Sequence, residues 1–249
     1  MIAPGRKAIL QFSGGKDSTA LLYHMRPYLK SLTVVNVNTG AILPEVEDFI
    51  ERTCQKLGAN LEIIRPEIDV FMYTEYAGYP ADIVPFESTP FFRYALHGPH
   101  NGQLIQSYGE CCAAMLWTPM KKYMKENNID LVFRGSKKAD ARVGVPDGHI
   151  EDGVEYRSPL WNWSHDQVFH YLDLIGVKLP PHYEEFADSL DCWICTGHLK
   201  HCGKERIQYI KEKHPEKWPI LRKRLEAVEK AIVDEMVAVS SAFEESQDG

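Results

Sequence analysis

The chain has 249 residues, 44% of them hydrophobic, with a formal net charge of −7 at pH 7 and six cysteines. That length suits one large α/β domain, or one domain plus an appendage, with enough apolar residues for a proper core. The negative balance excludes a dominating basic nucleic-acid footprint, and six cysteines in such a chain are not a disulfide scaffold; in a reducing compartment, clustered cysteines bind metal or do chemistry.

In chain order, residues 8–12 read as a buried strand and 18–29 as a helix. A β-branched strand follows at 32–37, then a helix at 44–57 that Gly58 stops. Residues 61–64 read as a strand, 119–127 as a helix and 131–134 as a strand. Between them, residues 73–109, rich in Tyr, Pro, Gly and His, read as a long, partly irregular insertion. Residues 203–240 read as helical throughout, and the last eight or so as a polar frayed end. Strand–helix alternation of this kind predicts an α/β fold, a doubly wound parallel sheet covered on both faces, with ligands outside the carboxyl ends of the strands. The expected division is a nucleotide-binding α/β domain over 1–185 and a cysteine-containing helical extension over 186–249. There is no charged-then-apolar leader and no apolar run near eighteen residues, so the chain reads as soluble and cytoplasmic, with no membrane partner.

Ser13-Gly14-Gly15-Lys16-Asp17-Ser18 stands directly behind the first strand. At a strand-to-helix turn, glycines let backbone N–H groups point into one concavity, and the helix N-terminus adds partial positive charge. Lys16 adds a full charge, and Ser13 and Ser18 add hydroxyl donors. Together they make a cradle for phosphate, although the GxxxxGK[ST] phosphate-loop pattern is absent. The plainer reading is a Gly-Gly turn followed by an Asp-Ser cap.

This SGGKDS loop resembles the pyrophosphate loop of the ATP-pyrophosphatase and phosphoadenylyl-sulfate (PAPS) reductase superfamily. Asn38-Thr39-Gly40 with Pro44-Glu45 is similar to its Asp-Thr-Gly…Pro-Glu motif, and Cys111-Cys112 with Pro119 to its paired-cysteine segment. Arg134-Gly135 through Lys137, Asp140 and Arg142 resembles its phosphate-binding segment. Ser158-Pro159-Leu160 with Trp163 resembles its Pro-Leu-x-x-Trp stretch before a helix, and Cys192-Trp193-Ile194-Cys195-Thr196 its Cys-x-x-Cys-Thr segment. The resemblance implies a sheet of adenine nucleotide α-hydrolase type that binds ATP or an adenylyl-sulfate-type nucleotide, with Mg2+. It implies a nucleotide site of Ser13, Gly14, Gly15, Lys16, Asp17, Ser18, Asn38, Thr39, Gly40, Gly135, Lys137 and Arg142, and catalytic roles for Lys16, Asp17 and Arg142; Cys202, beside Lys200, His201 and Lys204, is a catalytic candidate as the cysteine left unassigned, not one the resemblance supplies.

Cys111, Cys112, Cys192 and Cys195 form two close pairs that can ligate a 4Fe-4S cluster, and this pattern marks the family's cluster-bearing members. Four thiolates suit zinc equally well, although adjacent cysteines are awkward for it. A local zinc knuckle of Cys192, Cys195, His198 or His201, and Cys202 is a third reading. Cys54 reads as a small buried hydrophobe.

Departures from the pattern pull away from sulfate reduction. The sequence has no cysteine after Cys202, where assimilatory reductases carry a tail nucleophile. Leu116 replaces a lysine that follows the paired cysteines, Asn38 replaces a common aspartate, and Trp193 is shared with the branch that phosphorothioates DNA. Between Gly197 and Lys230, ten Lys and Arg face five Glu, which reads either as a nucleic-acid-facing segment or as a solvated helix face. Trp161, Trp163 and Trp218 read as core. The favoured expectation is an enzyme that adenylates an acceptor with ATP and then transfers sulfur from a donor. The rivals are a reductase that forms sulfite with Cys202 as nucleophile and a thiol reductant as partner, and a non-catalytic nucleotide- and cluster-binding sensor or subunit.

Overall fold

The run Ala-Ile-Leu at 8–10 has almost no exposed surface, as expected of a strand covered on both faces. In the computed structural model, which describes residues 2–84, 89, 104–140, 146–200 and 202–247, it opens β1 (Ala8–Gln11). The other strands are β2 (Thr33–Val37), β3 (Asn60–Ile64), β4 (Tyr79–Ala81), β5 (Ile105–Ser107), β6 (Leu131–Phe133), β7 (His149–Glu151) and β8 (Val154–Arg157).

Contacts divide the chain into two compact units, residues 1–66 with 118–191 and residues 67–117 with 192–249. This differs from a linear division at 185/186. Tyr79, Ala81 and Ile105 cluster with Val228 of the C-terminal helix, so that apolar burial groups β4 and β5 with the C-terminal segment.

The first unit holds a six-stranded sheet in the order β3-β2-β1-β6-β8-β7, parallel except for β7, which returns antiparallel on β8. On one face Ile9, Val35, Val132 and Tyr156 pack with Met120 and Met124 of the helix Thr118–Glu126. Each fully buried aliphatic side chain there contributes ~1.5–3 kcal/mol. The helices Lys16–His24 and His165–Leu174 pack on each other. The order reverses between β1 and β6, so the topological switch point lies at their carboxyl ends, above the sheet's centre.

Helix boundaries follow local chemistry. Pro44 opens its helix and Gly58, at φ +63°, closes it. Ser164 and Gln167 form a capping box at the start of His165–Leu174. The first helix is shorter than the expected 18–29: it ends at His24 and gives way to a 3-10 turn, Arg26–Ser31, because Pro27 has no N–H to continue the ladder. Likewise, the expected 203–240 helix is two, Gly203–Lys213 and Trp218–Gln247, interrupted around Pro215. The second runs into the segment expected to fray, where Ala242, Glu244, Glu245 and Gln247 favour helix.

In the second unit β4 and β5 form a two-stranded parallel sheet. The helix Tyr108–Cys112 carries the paired cysteines and runs straight into a π-helical turn, Ala113–Trp117. Trp161, Trp163 and Trp218, expected in the core, are only half-buried; Trp163 meets His24 and Tyr171 edge-on. Among the described residues no helix is long and apolar enough to cross a membrane.

Candidate functional site

The loop from Phe12 to Gly15 leaves the carboxyl end of β1 at the switch point. Its start is fixed from the next strand, where the buried Asn36 side chain donates to the Phe12 carbonyl at 2.8 Å. Gly14 adopts φ +82°, and Gly15 is the N-cap of the following helix without any side-chain cap. The hydroxyls are internally arranged: Ser13 Oγ accepts from Gly15 N–H at 3.3 Å, and Ser18 Oγ donates to the Gly15 carbonyl at 3.0 Å. Opposite, the segment after β6 comes so close that a Cβ on Gly135 would lie 2.8 Å from the Asp17 carbonyl carbon.

Charge at this point is organised around Asp17. One carboxylate oxygen takes the Lys16 ammonium at 2.8 Å and the other takes Lys137 at 2.6 Å. Lys137, fully buried, also holds Asp140 at 2.8 Å, and His165 Nε2 lies 3.3 Å from the other Asp140 oxygen. Lys137, expected to grip oxyanions directly, thus meets the loop through Asp17. Lys16 is itself buried, with its ammonium 5.9 Å from the centre of the Phe169 ring. Arg142 lies outside the described residues.

Asn38 and Thr39 follow β2 and shape a turn. Asn38 Oδ1 accepts from Gly40 N–H at 2.8 Å while its amide donates to Glu47. An aspartate at 38 would set two carboxylates against each other, a physical reason for asparagine here. Thr39 Oγ1 accepts from Ala41 N–H at 3.3 Å, and Gly40 takes φ +88°.

Sequence reasoning passed over Tyr183, in the 3-10 turn Pro181–Glu184. Its hydroxyl accepts the first helical N–H, that of Lys16, at 2.8 Å. Burial, reinforced by the nearby carboxylates of Asp191, Asp17 and Asp188, raises its pKa, so the phenol stays protonated. A Pro-Pro-His-Tyr run just past a helix was the available signal.

Cys54 is buried on the helix Pro44–Leu57 of the first unit, as expected of a small hydrophobe, and the other five cysteines lie in the second unit. Cys111 is buried, with its pKa pushed up to about 12 mainly by desolvation and further by Cys112 and Cys195, while Arg224 acts the other way. Cys195 N–H donates to the Cys192 carbonyl at 3.1 Å, which closes the Cys-x-x-Cys turn. The turn is pinned from several sides. Arg206 donates to the carbonyls of Cys195 and Gly197 at 3.0 and 2.7 Å, and Thr196 Oγ1 donates to the Pro80 carbonyl. Asp82 takes the N–H groups of His198 and Leu199 at 2.6 and 2.8 Å, and Trp193 packs on Phe71. Gly197 is obligatory, because a Cβ would meet Tyr108 Cβ at 2.6 Å. The His198 ring lies against Tyr108, 4.0 Å between centres, and His201 lies outside the described residues. Cys202 is the N-cap of the helix Gly203–Lys213 in the left-handed conformation, φ +49°.

Among the described residues, no three His, Cys, Asp or Glu side chains are already placed to grip one metal ion. The donor set nevertheless fits a thiolate-bound cluster. Cys111 is within electrostatic reach of both Cys112 and Cys195, and the buried guanidinium of Arg224 offsets thiolate charge. Two of the ten basic residues between Gly197 and Lys230, Arg206 and Arg224, are buried inside the fold, so the basic face is smaller than the sequence alone conveys.

A sequence model of the phosphoadenosine phosphosulfate reductase domain matches residues 7–198. The chain belongs to this family. A relative named phosphoadenosine 5'-phosphosulfate reductase from Cronobacter sakazakii is 24% identical over 179 residues, 71% of this chain and 65% of that protein. An uncharacterised protein of Methanocaldococcus jannaschii is 22% identical over 222 residues, 86% of this chain and 47% of its own length. The chain therefore spans less than two thirds of these curated relatives. A solved phosphoadenylyl-sulfate reductase of Candida auris, in a phosphate complex, is 18% identical with a TM-score of 0.54, covering 78% of this chain and 84% of that one, and shares the fold.

Proposed function

We propose that this family member uses ATP to adenylate an acceptor and then replaces the activated oxygen with sulfur. The observation that carries the reading is the SGGKDS loop at the switch point, with Lys16 and Lys137 both anchored on Asp17. Residues 13–18 receive the phosphates, and Asn38, Thr39 and Gly40 border the adenosine. The acceptor's oxygen attacks the α-phosphorus, the bond to the bridging oxygen breaks, and pyrophosphate leaves into the loop. Backbone N–H groups and Lys16 stabilise the charge that builds on the leaving group. A donor at the sulfide oxidation level then forms the new bond to the acceptor carbon as the C–O bond breaks and AMP departs. A persulfide on Cys202 would deliver the same sulfur, provided a second thiol opens the resulting disulfide. Cys111, Cys112, Cys192 and Cys195 would hold an iron–sulfur cluster, which when bound supplies redox and sulfur-handling chemistry; zinc on the same thiolates is the alternative. The acceptor's chemistry includes a nucleic acid met by exposed basic residues such as Lys200 and Lys204.

The second reading, sulfate reduction, is favoured by the names of the curated relatives. Leu116, half-buried in the π-helical turn, supplies no charge for a sulfate and supports the first reading. Adenylyl sulfate or its 3′-phosphorylated form, given with thioredoxin or glutaredoxin to anaerobically purified protein, is expected to yield little sulfite. Robust sulfite from wild type that disappears in Cys202→Ser overturns sulfur transfer in favour of reduction.

A further inference from the structure

A tyrosine from the segment after the helix His165–Leu174 reaches the phosphate loop. Tyr183 Oη accepts from Lys16 N–H at 2.8 Å, the first amide of a helix whose N-cap carries no side-chain cap. A phenol that accepts at its oxygen still has one proton to donate. The ring is held in place: its centre lies 4.4 Å from that of His182 and 6.3 Å from that of Phe169, which meets it edge-on. A Cβ built on Gly15 would lie 3.4 Å from Tyr183 Oη, Ser13 Oγ and Ser189 Cβ alike, so the two hydroxyls flank the same glycine. A Cβ there would make ordinary contact with both hydroxyls. Burial keeps the phenol neutral and protonated, hence a donor.

We propose that Tyr183 is a phosphate-binding residue of this loop: its oxygen is oriented by Lys16 N–H, and its proton is donated to a phosphate oxygen seated on residues 13–18. The inference rests on the nucleotide reading above and adds to it a hydroxyl supplied from a position 167 residues away in sequence. A hydrogen bond to a charged group corresponds to a roughly ten-fold or greater change in affinity.

The test is calorimetric titration of wild type, Tyr183→Phe and Lys16→Ala with Mg-ATP, pyrophosphate and adenosine, with thermal melts to check that each variant is folded. Phenylalanine keeps the ring between His182 and Phe169 and removes only the hydroxyl. The expected result is roughly ten-fold weaker binding of ATP and pyrophosphate by Tyr183→Phe, with adenosine unchanged. If Lys16→Ala weakens ATP binding and Tyr183→Phe does not, Tyr183 has no phosphate role and the loop reading stands. Tighter ATP binding by Tyr183→Phe means that the hydroxyl competes with phosphate, which overturns the proposal. Equal loss for adenosine would show that the tyrosine only shapes the fold, which also overturns it. If neither variant changes affinity for ATP or pyrophosphate, the loop reading itself fails.

Discussion

Gly135→Ala is the sharpest test of the switch-point geometry. The added methyl would lie 2.8 Å from the Asp17 carbonyl carbon, 2.9 Å from Ser18 N and 3.0 Å from Asp17 O, where ordinary contact begins at 3.4 Å. All three atoms are helix backbone, so no side chain can swing aside; the segment after β6 must retreat by several tenths of an ångström. Overpacking of this kind costs about 1–3 kcal/mol. Alanine's smaller unfolded-state entropy returns ~0.4–1 kcal/mol. The net loss, on the order of 1–2 kcal/mol, lowers the melting temperature by about 2–8 °C in a chain of this size. The same retreat stretches the 2.6 Å Lys137–Asp17 ion pair, so ATP affinity falls as well. Gly58→Ala is the control: it has φ +63° but nothing within 4 Å of its Cβ, so it strains only its own turn, by ~1–2 kcal/mol, and leaves ATP affinity unchanged. Denaturant unfolding and calorimetry read both variants. A Gly135→Ala protein as stable as wild type, with undiminished ATP binding, would refute the close approach.

Asp17→Ala leaves Lys137, which is wholly buried, with Asp140 as its carboxylate partner and is expected to cost about 3 kcal/mol in denaturant unfolding. Lys137→Met removes the buried charge itself, lets Asp17 keep Lys16, and should cost ~1 kcal/mol or less; the reverse order would refute the assigned charge arrangement. Anaerobically purified protein is expected to be brown with about four irons per chain, bleached by serine at Cys111, Cys112, Cys192 or Cys195, whereas colourless protein holding one zinc would reject the cluster. Burial lowers the His182 pKa from the ordinary 6.5 to about 4. The unfolded chain therefore binds the extra proton between those values, and stability is lost as pH falls through that window. His182→Phe, which suits the neighbouring rings of Tyr183 and Phe186, should flatten this acid limb; an unchanged pH–stability profile counts against the buried neutral imidazole.

What could be read in advance was what short-range chemistry dictates. The apolar run at 8–10 followed by SGGKDS announces a strand, a turn and a helix start within ten residues, and Pro44 and Gly58 bracket a helix that the structure reproduces. The β7–β8 hairpin was missed because its strands carry mainly charged and polar residues, although Asp152-Gly153, at φ +51° and +78°, is a turn signal. The β4–β5 pair went unseen because each strand is three residues long and one contains Pro80. Contacts between distant residues left no local trace: nothing near residue 17 announces Lys137, and nothing near residue 16 announces Tyr183. The family motifs outline the candidate site, and the structure shows how the described side chains there pair.

The sheet order also bears on how the chain is made. β1 sits at the centre with β2 on one side and β6 on the other, yet β6 begins at residue 131. At roughly 5–20 residues per second of synthesis, the β6-facing side of β1 waits some ~6–24 s for its partner. During that interval the apolar run Ala8-Ile9-Leu10 is an unpaired edge, the kind of surface that templates aggregation. Ribosome-bound chains stopped before residue 131 should therefore be strong clients for chaperones that bind extended apolar segments, and chains extended past β8 should be released from them.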